Sequence, residues 1–288
     1  MQVTLPKGAT LAPGQKSPLV VTFTDAAGKP VATQGEGHGK IRWADLDVKA
    51  TVVTVSDKGV VQMPKLPWQS DGKVGHVQVT VPGKPELTAG IDVTPRYNVA
   101  YRATFSGDNG PNGMDGTNGI SGTSGLTGSI DPNHPSAGGN GSDGTNGTSG
   151  NNGGMGGDGP PVLVEVALWP GDHPLLEVAV SISAKDKEWY LIDPNGGSLT
   201  VASAGGPGGN GGHGGKGGRG GSGGIGTPNG MDGHDGLDGQ DGLRGMDGSP
   251  GRITMVYDPA AQPYLSAIHL TRSGVKPVMT EKPVPPLW

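Results

Sequence analysis

The chain has 288 residues, of which 57 are glycine, 26 proline and none cysteine, and it carries a formal charge of −5. Without cysteine, disulfide staples, thiolate nucleophiles and cysteine-ligated metal centres are excluded. The mild acidity argues against nucleic acid as the main partner, and no apolar run approaches the ~18 residues that a membrane span needs.

Residues 1–94 read as a separate β-sandwich. Short β-branched runs at 19–23, 50–55, 74–81 and 91–93 are separated by Gly, Pro and Asp turns, and nothing there has helical periodicity. This pattern predicts an immunoglobulin-like module acting as a stalk. The first residues, MQVTLPKGAT, lack the basic and apolar regions of a signal peptide. The expectation is a mature segment of an exported protein behind a start methionine, located outside the cell or on its outer surface.

Residues 95–275 read as a β-sheet interrupted by four glycine-repeat windows, 107–128, 138–159, 205–226 and 230–251. These windows hold 42 of the 57 glycines, and all twelve aromatics lie outside them. Residues 96–105 lead into the first window; 162–169, 176–183, 189–192 and 198–202 link the second to the third; 252–257 and 265–270 follow the fourth. Leu176, Val178, Val180 and Ile182 alternate with small or polar residues, as in a strand with one buried face. Residues 276–288 read as a Pro-rich C-terminal tail.

In each window glycine recurs at every third position, and every window is 22 residues long. Period three fits a polyproline-II-type helix of ~3.1 Å rise, so each window predicts a rod roughly 65 Å long. Equal lengths suggest rods packed side by side that end together. Such a helix has no internal hydrogen bonds, so its amides need partners on neighbouring rods. In the third rod two of three edges are glycine, so it can be flanked on two sides. Away from Pro111, Pro207 and Pro250 the positions between glycines lack the proline of collagen. An intrachain polyglycine-II bundle, monomeric, is the leading expectation; a collagen-type trimer and flexible linkers are the alternatives.

The connections set the topology. Rods three and four are joined only by Thr227, Pro228 and Asn229, and rods one and two by residues 129–137, so each pair is an antiparallel hairpin. Both loops then lie at one distal tip and all other rod ends at the sheet. Across the second hairpin a charge ladder is expected, with Arg219 near Asp238 and Lys216 near Asp241. The residue after each glycine (position X) is often apolar in rods one and four. These side chains are expected to pack internally, with exposure to a partner as the alternative.

The recognition candidate is the tip: Ile130, Asp131, Asn133 and His134, stiffened by Pro132 and Pro135, with Thr227, Pro228 and Asn229 beside them. A plain cap is the other reading. The aspartates of rod four recur at about 9.3 Å, too far apart for one calcium ion to bridge successive members. The G-x-G-x-x-G at 221–226 has no strand–helix context. No catalytic, cofactor or metal set emerges, and no enzyme activity is expected.

Equal glycine rods in a β framework resemble the polyglycine-II sandwich of phage tail-fibre tip adhesins, whose distal loops contact host receptors. The segment from Phe105 to Trp288 is also similar to glycine-rich, collagen-like surface lipoproteins of myxobacteria and their relatives, through FSGDNGPNGMDG, DPNGGSLTV, GGPGGNGGHGG and ITMVYDPAAQPYL. The resemblance implies a non-enzymatic surface protein or adhesin, with a cell-surface protein or glycan as partner. Ice binding is the alternative, since the glycine-rich polyproline-II bundles of insect antifreeze proteins resemble this core.

Overall fold

Short strands and left-handed turns build the N-terminal part. The computed structural model describes residues 1–25, 27–171, 173–271 and 276–288. Ten strands come first: β1 Gln2–Thr4, β2 Thr10–Leu11, β3 Lys16–Pro18, β4 Val20–Thr24, β5 Pro30–Ala32, β6 Asp47–Thr51, β7 Thr54–Val55, β8 Val60–Gln62, β9 Gly75–Val81 and β10 Lys84–Pro95. They form three small sheets, β1-β4-β5, β2-β10-β9-β6 and β3-β8-β7, rather than the two of the expected immunoglobulin-like sandwich. Chain breaks explain the splitting: Gly14 turns at positive φ between β2 and β3, and Val52 at φ 64° divides the predicted strand at 50–55 into β6 and β7, each break passing the chain to another sheet. One core, including Leu11, Val21, Trp43, Met63, Val77 and Val93, serves all three sheets.

Eight further strands surround the glycine rods: β11 Ala100–Ser106, β12 Val162–Leu168, β13 Leu176–Ser181, β14 Lys187–Ile192, β15 Ser198–Ala204, β16 Ile253–Tyr257, β17 Ile268–Leu270 and β18 Val278–Glu281. The single sheet read from the sequence is two, β11-β15-β17 and β14-β13-β12-β16-β18. Between them lies a core that includes Val164, Val166, Val178, Leu199, Val201 and Met255. A 3-10 segment, Pro259–Ala267, covers part of the stretch expected as a strand at 265–270, because Asp258 caps it and Pro263 removes a ladder donor.

The Pro-rich tail read at 276–288 packs against the rest of the chain. Its β18 pairs with β16, Val284 is buried, and Trp288 packs 5.3 Å from Trp68 and 5.8 Å from Trp189. Val284 and Trp288 give this proline-rich stretch something to bury. The boundary expected after residue 275 falls within 272–275, outside the described residues.

The strands sort by direction. β11 and β15, which lead out into rods one and three, pair in parallel in one sheet; β12 and β16, which receive rods two and four, pair in parallel in the other. The ladders continue past the strands: the Gly107 N–H donates to Ala204 O at 3.0 Å, and the Gly159 N–H to Ser249 O at 2.8 Å. Sheets with side chains between them stand ~10 Å apart. Where glycine replaces the side chains, the two layers come within hydrogen-bonding distance.

In each ladder every third backbone N–H then links neighbouring rods. Gly116 donates to His213 O, Thr145 to Ile120 O, Gly215 to Thr148 O, Gly236 to Gly218 O and Gly147 to Leu237 O, at 2.7–2.9 Å, and each ladder repeats this one bond per triplet. Rods two and three therefore each bond to three rods, while rods one and four each bond to two and not to each other. Rod three has one more neighbour than its two glycine edges suggested, because its glycine amides also donate to rod two, whose own glycines, such as Gly147, give the clearance. Its paired glycines have distinct reasons: a Cβ on Gly215 would strike Thr117 O of rod one, and one on Gly214 would strike Gly239 O of rod four.

The apolar edges of rods one and four do not pack internally. Met114, Ile120, Leu126, Met231, Leu237 and Leu243 are all exposed, Ile120 by 75% and Leu237 by 72%. Close backbone approach leaves no space between rods for side chains, so they project outward.

Candidate functional site

The distal end is assembled by backbone and short polar side chains. The 129–137 loop closes at its neck, where the Ser136 N–H donates to Ser129 O at 3.0 Å and the Ser129 N–H to Ser136 Oγ at 2.7 Å. Within it, Asp131 Oδ1 accepts from the Asn133 N–H at 2.9 Å and Asp131 O from the His134 N–H at 3.1 Å, a turn that Asp favours. Asn229 Oδ1 accepts from the Gly226 N–H at 2.9 Å, and the Thr227–Pro228 peptide is cis.

The two loops meet. The Thr227 N–H donates to Ser136 O at 2.9 Å and the Gly138 N–H to Pro228 O at 3.0 Å. Ile130, Asp131, Asn133, His134, Thr227, Pro228 and Asn229 are all exposed. His134 Nδ1 stands 3.6 Å from Asp131 Oδ2. Around them Leu126, Ile130, Ile225 and Met231 form an exposed apolar collar. Ile225 was overlooked among the glycines of rod three, although GGSGGIG is the only apolar interruption of that repeat. The tip thus offers a carboxylate, an imidazole, an amide and an apolar rim on an anchored backbone.

The charge ladder is displaced by one triplet from expectation. Lys216 Nζ meets Asp238 Oδ2 at 2.7 Å rather than Asp241; His213 Nδ1 lies 3.7 Å from Asp241 Oδ1, and Arg219 has no ion pair among the described residues. The backbone sets this register, because the Gly230 N–H bonds to Gly224 O. The Lys216 ammonium and the Gly217 N–H hold the Asp238 carboxyl below its ordinary pKa, and the Gly208 N–H does the same for Asp247.

The aspartates have another use. Asp232, Asp235, Asp238 and Asp241 accept the backbone N–H groups of Gly223, Gly220, Gly217 and Gly214 at 2.7–2.8 Å. Asn140, Asp143 and Asn146 of rod two likewise accept from Met231, His234 and Leu237 of rod four at 2.7–2.9 Å. Rod amides that face no carbonyl are satisfied by Asp and Asn side chains. The Oδ1 atoms of this stripe are therefore bonded to amides, and among the described residues no group of three or more His, Asp or Glu could hold a metal ion.

The opposite end holds a second concavity. A cavity of about 280 Å³, lined by Lys65, Tyr101, Glu188, Trp189 and Tyr190, opens where the N-terminal unit meets β14. The Tyr101 hydroxyl is buried there without a hydrogen-bond partner among the described residues, and burial pushes its pKa up to about 12. Beside it Trp68, Trp169, Trp189 and Trp288 cluster, and the Tyr97 hydroxyl donates to Asp71 at 2.8 Å. No helix among the described residues is long and apolar enough to cross a membrane. Comparisons with family models, with curated proteins and with solved structures return no match.

Proposed function

We infer that the chain is a non-enzymatic structural or adhesin protein of the extracellular or cell-surface space. In this reading the rods are a polyglycine-II bundle, stiff because neighbouring backbones bond along their length. The N-terminal β unit is a stalk, the paired sheets are the base, and the distal loops meet a cell-surface protein or glycan.

One observation carries the reading: both connecting loops are hydrogen-bonded together, exposed, at the end of an array whose other end runs into two sheets. A rigid, preordered tip lowers the entropy cost of binding, and exposed apolar side chains beside polar groups are a feature of interaction surfaces. The test replaces Asp131, Asn133 and His134 together by alanine and measures binding of the whole chain to glycan arrays and cell-envelope preparations. Binding by the parent that the triple variant loses, at unchanged melting temperature, is the expected result. Equal binding by the two proteins, or unfolding of the variant, would reduce the loops to a cap.

A further inference from the structure

Nine of the twelve asparagines precede glycine. In such a pair the glycine nitrogen can attack the asparagine side-chain carbon, because no side chain crowds the nitrogen and the glycine backbone turns freely. The fold obstructs this reaction at most of the pairs. At Asn112, Asn118, Asn140, Asn146 and Asn152 the side-chain oxygen accepts an amide of a neighbouring rod, and at Asn229 that of Gly226, at 2.8–2.9 Å. The glycine after each of them donates its own N–H to a rod carbonyl at 2.7–2.9 Å. Target and nucleophile are both tied, and closing a ring would open two hydrogen bonds. At Asn109 the nucleophile alone is tied, because Gly110 donates to Pro207 O and Pro207 has no N–H to offer the side chain.

Asn210 differs, and rod four supplies the reason. One edge of rod three donates the amides of Gly208, Gly214, Gly217, Gly220 and Gly223 to Asp247, Asp241, Asp238, Asp235 and Asp232. The member missing from this series is Gly211, which falls level with Arg244. A guanidinium has no acceptor, and this one turns to Asp247 Oδ1 at 2.7 Å. Among the described residues neither the Gly211 N–H nor the Asn210 side chain has a hydrogen-bond partner. Turning the peptide between them opens a single bond, from the Gly113 N–H to Asn210 O at 2.8 Å. Asn210 is exposed, and with Asn109, Pro207 and Arg244 it lines a concavity of about 410 Å³.

We propose that Asn210 is a site of spontaneous deamidation in the folded array. The Gly211 nitrogen gives up its proton and bonds to Asn210 Cγ; the Cγ–Nδ2 bond breaks, and ammonia leaves with that proton as a succinimide closes. Water then opens the ring at either carbonyl, giving aspartate or isoaspartate. Aspartate keeps the backbone path and adds a negative charge to the concavity that Arg244 lines. Isoaspartate adds a methylene to the main chain and breaks the three-residue period where Asn210 bonds to Asn112 and Gly113 of rod one. The array thus carries one position at which it ages, whatever its tips bind. Outside the rods Asn195 is the other open pair: among the described residues the Gly196 N–H has no acceptor, and no bond holds the Asn195 side chain.

The test is peptide mapping by mass spectrometry of the full chain after weeks in warm neutral buffer, scoring amide-to-acid conversion at each pair. Asn195 should convert first and Asn210 next, with Asn112, Asn118, Asn140, Asn146 and Asn152 last. In denaturant, where no amide is held, the rates of these pairs should converge. Arg244→Asp gives Gly211 the acceptor that Gly208 and Gly214 have; it should slow Asn210 about tenfold, the scale of a hydrogen bond to a charged group, and leave Asn195 unchanged. Arg244→Asn offers the same acceptor without the charge and should slow Asn210 as well. An Asn210 as slow as Asn112 and Asn146 in the folded parent, an unreacted Asn195, or an Asn210 rate that neither variant lowers would overturn the proposal.

Discussion

The β units and the glycine array are held together by opposite means. In the β units, side chains are removed from water: Leu11, Val77, Val164, Val178 and Leu199 are fully buried, and burial of such groups contributes about 1.5–3 kcal/mol each. In the array the large side chains face solvent, as with Met114, Leu126 and Leu243, and the interior is backbone bonded to backbone, with glycine at the points of closest approach. Each such bond has a net value of only about 0.5–1.5 kcal/mol, while ordering glycine is costly. Cohesion in the array therefore depends on repetition and on anchorage, because its ladders continue those of β11 with β15 and of β12 with β16. A region without a side-chain core takes its register from one that has it.

Breaking the array should be most severe where backbone approach is closest. Gly215→Ala places a methyl group against Thr117 O; the loss should exceed about 4 kcal/mol, in the range reserved for strain and disrupted networks, and show as failure to unfold cooperatively by calorimetry. Leu199→Ala, in the core between the two sheets, should cost about 2–5 kcal/mol by denaturant titration and also weaken the rods that this core anchors. Asn146→Ala leaves the Leu237 N–H without its acceptor and should cost only about 0.5–1.5 kcal/mol.

Acid sharpens the comparison further. Asp238 and Asp247 titrate below their ordinary values in the folded chain. Their contribution is present above the unfolded carboxyl pKa of ~3.9 and is lost as pH falls through their lowered folded values. A melting temperature that falls below about pH 4, with Asp238→Asn blunting part of the fall, is expected from pH-resolved circular dichroism. Smallest of all, Lys216→Ala should barely move the melting temperature, because the pair it forms with Asp238 is exposed.

Much of this was legible in the residues because glycine spacing is a rigid code. Equal windows and two short loops were enough to put both loops at one tip, and the Thr227 N–H bonded to Ser136 O shows them joined. The strand at 176–183 was readable from alternation, although Glu177 and Ala179, on the face read as open, are buried as well. Other features were not. Asp232 and Asp238 look like partners for cations in a sequence, because nothing local reveals that a neighbouring rod leaves amides unsatisfied at that spacing. Met114 and Leu237 look like core residues by hydropathy; only the tightness of glycine-to-glycine contact forces them outward. Trp288 reads as the end of a loose tail until Trp68 and Trp189, far away in the chain, are placed beside it.

The central claim is that the rods cohere through backbone bonds and not through side chains. Amide hydrogen exchange of the intact chain, resolved by residue, measures this directly. The account predicts protection at Gly116, Gly147, Gly215 and Gly236, whose amides donate to carbonyls of neighbouring rods, comparable with that of Val164 and Val178 in the buried strands. Exchange of these glycine amides at unfolded-chain rates, beside protected β strands, would contradict it and leave the four windows as linkers between β units.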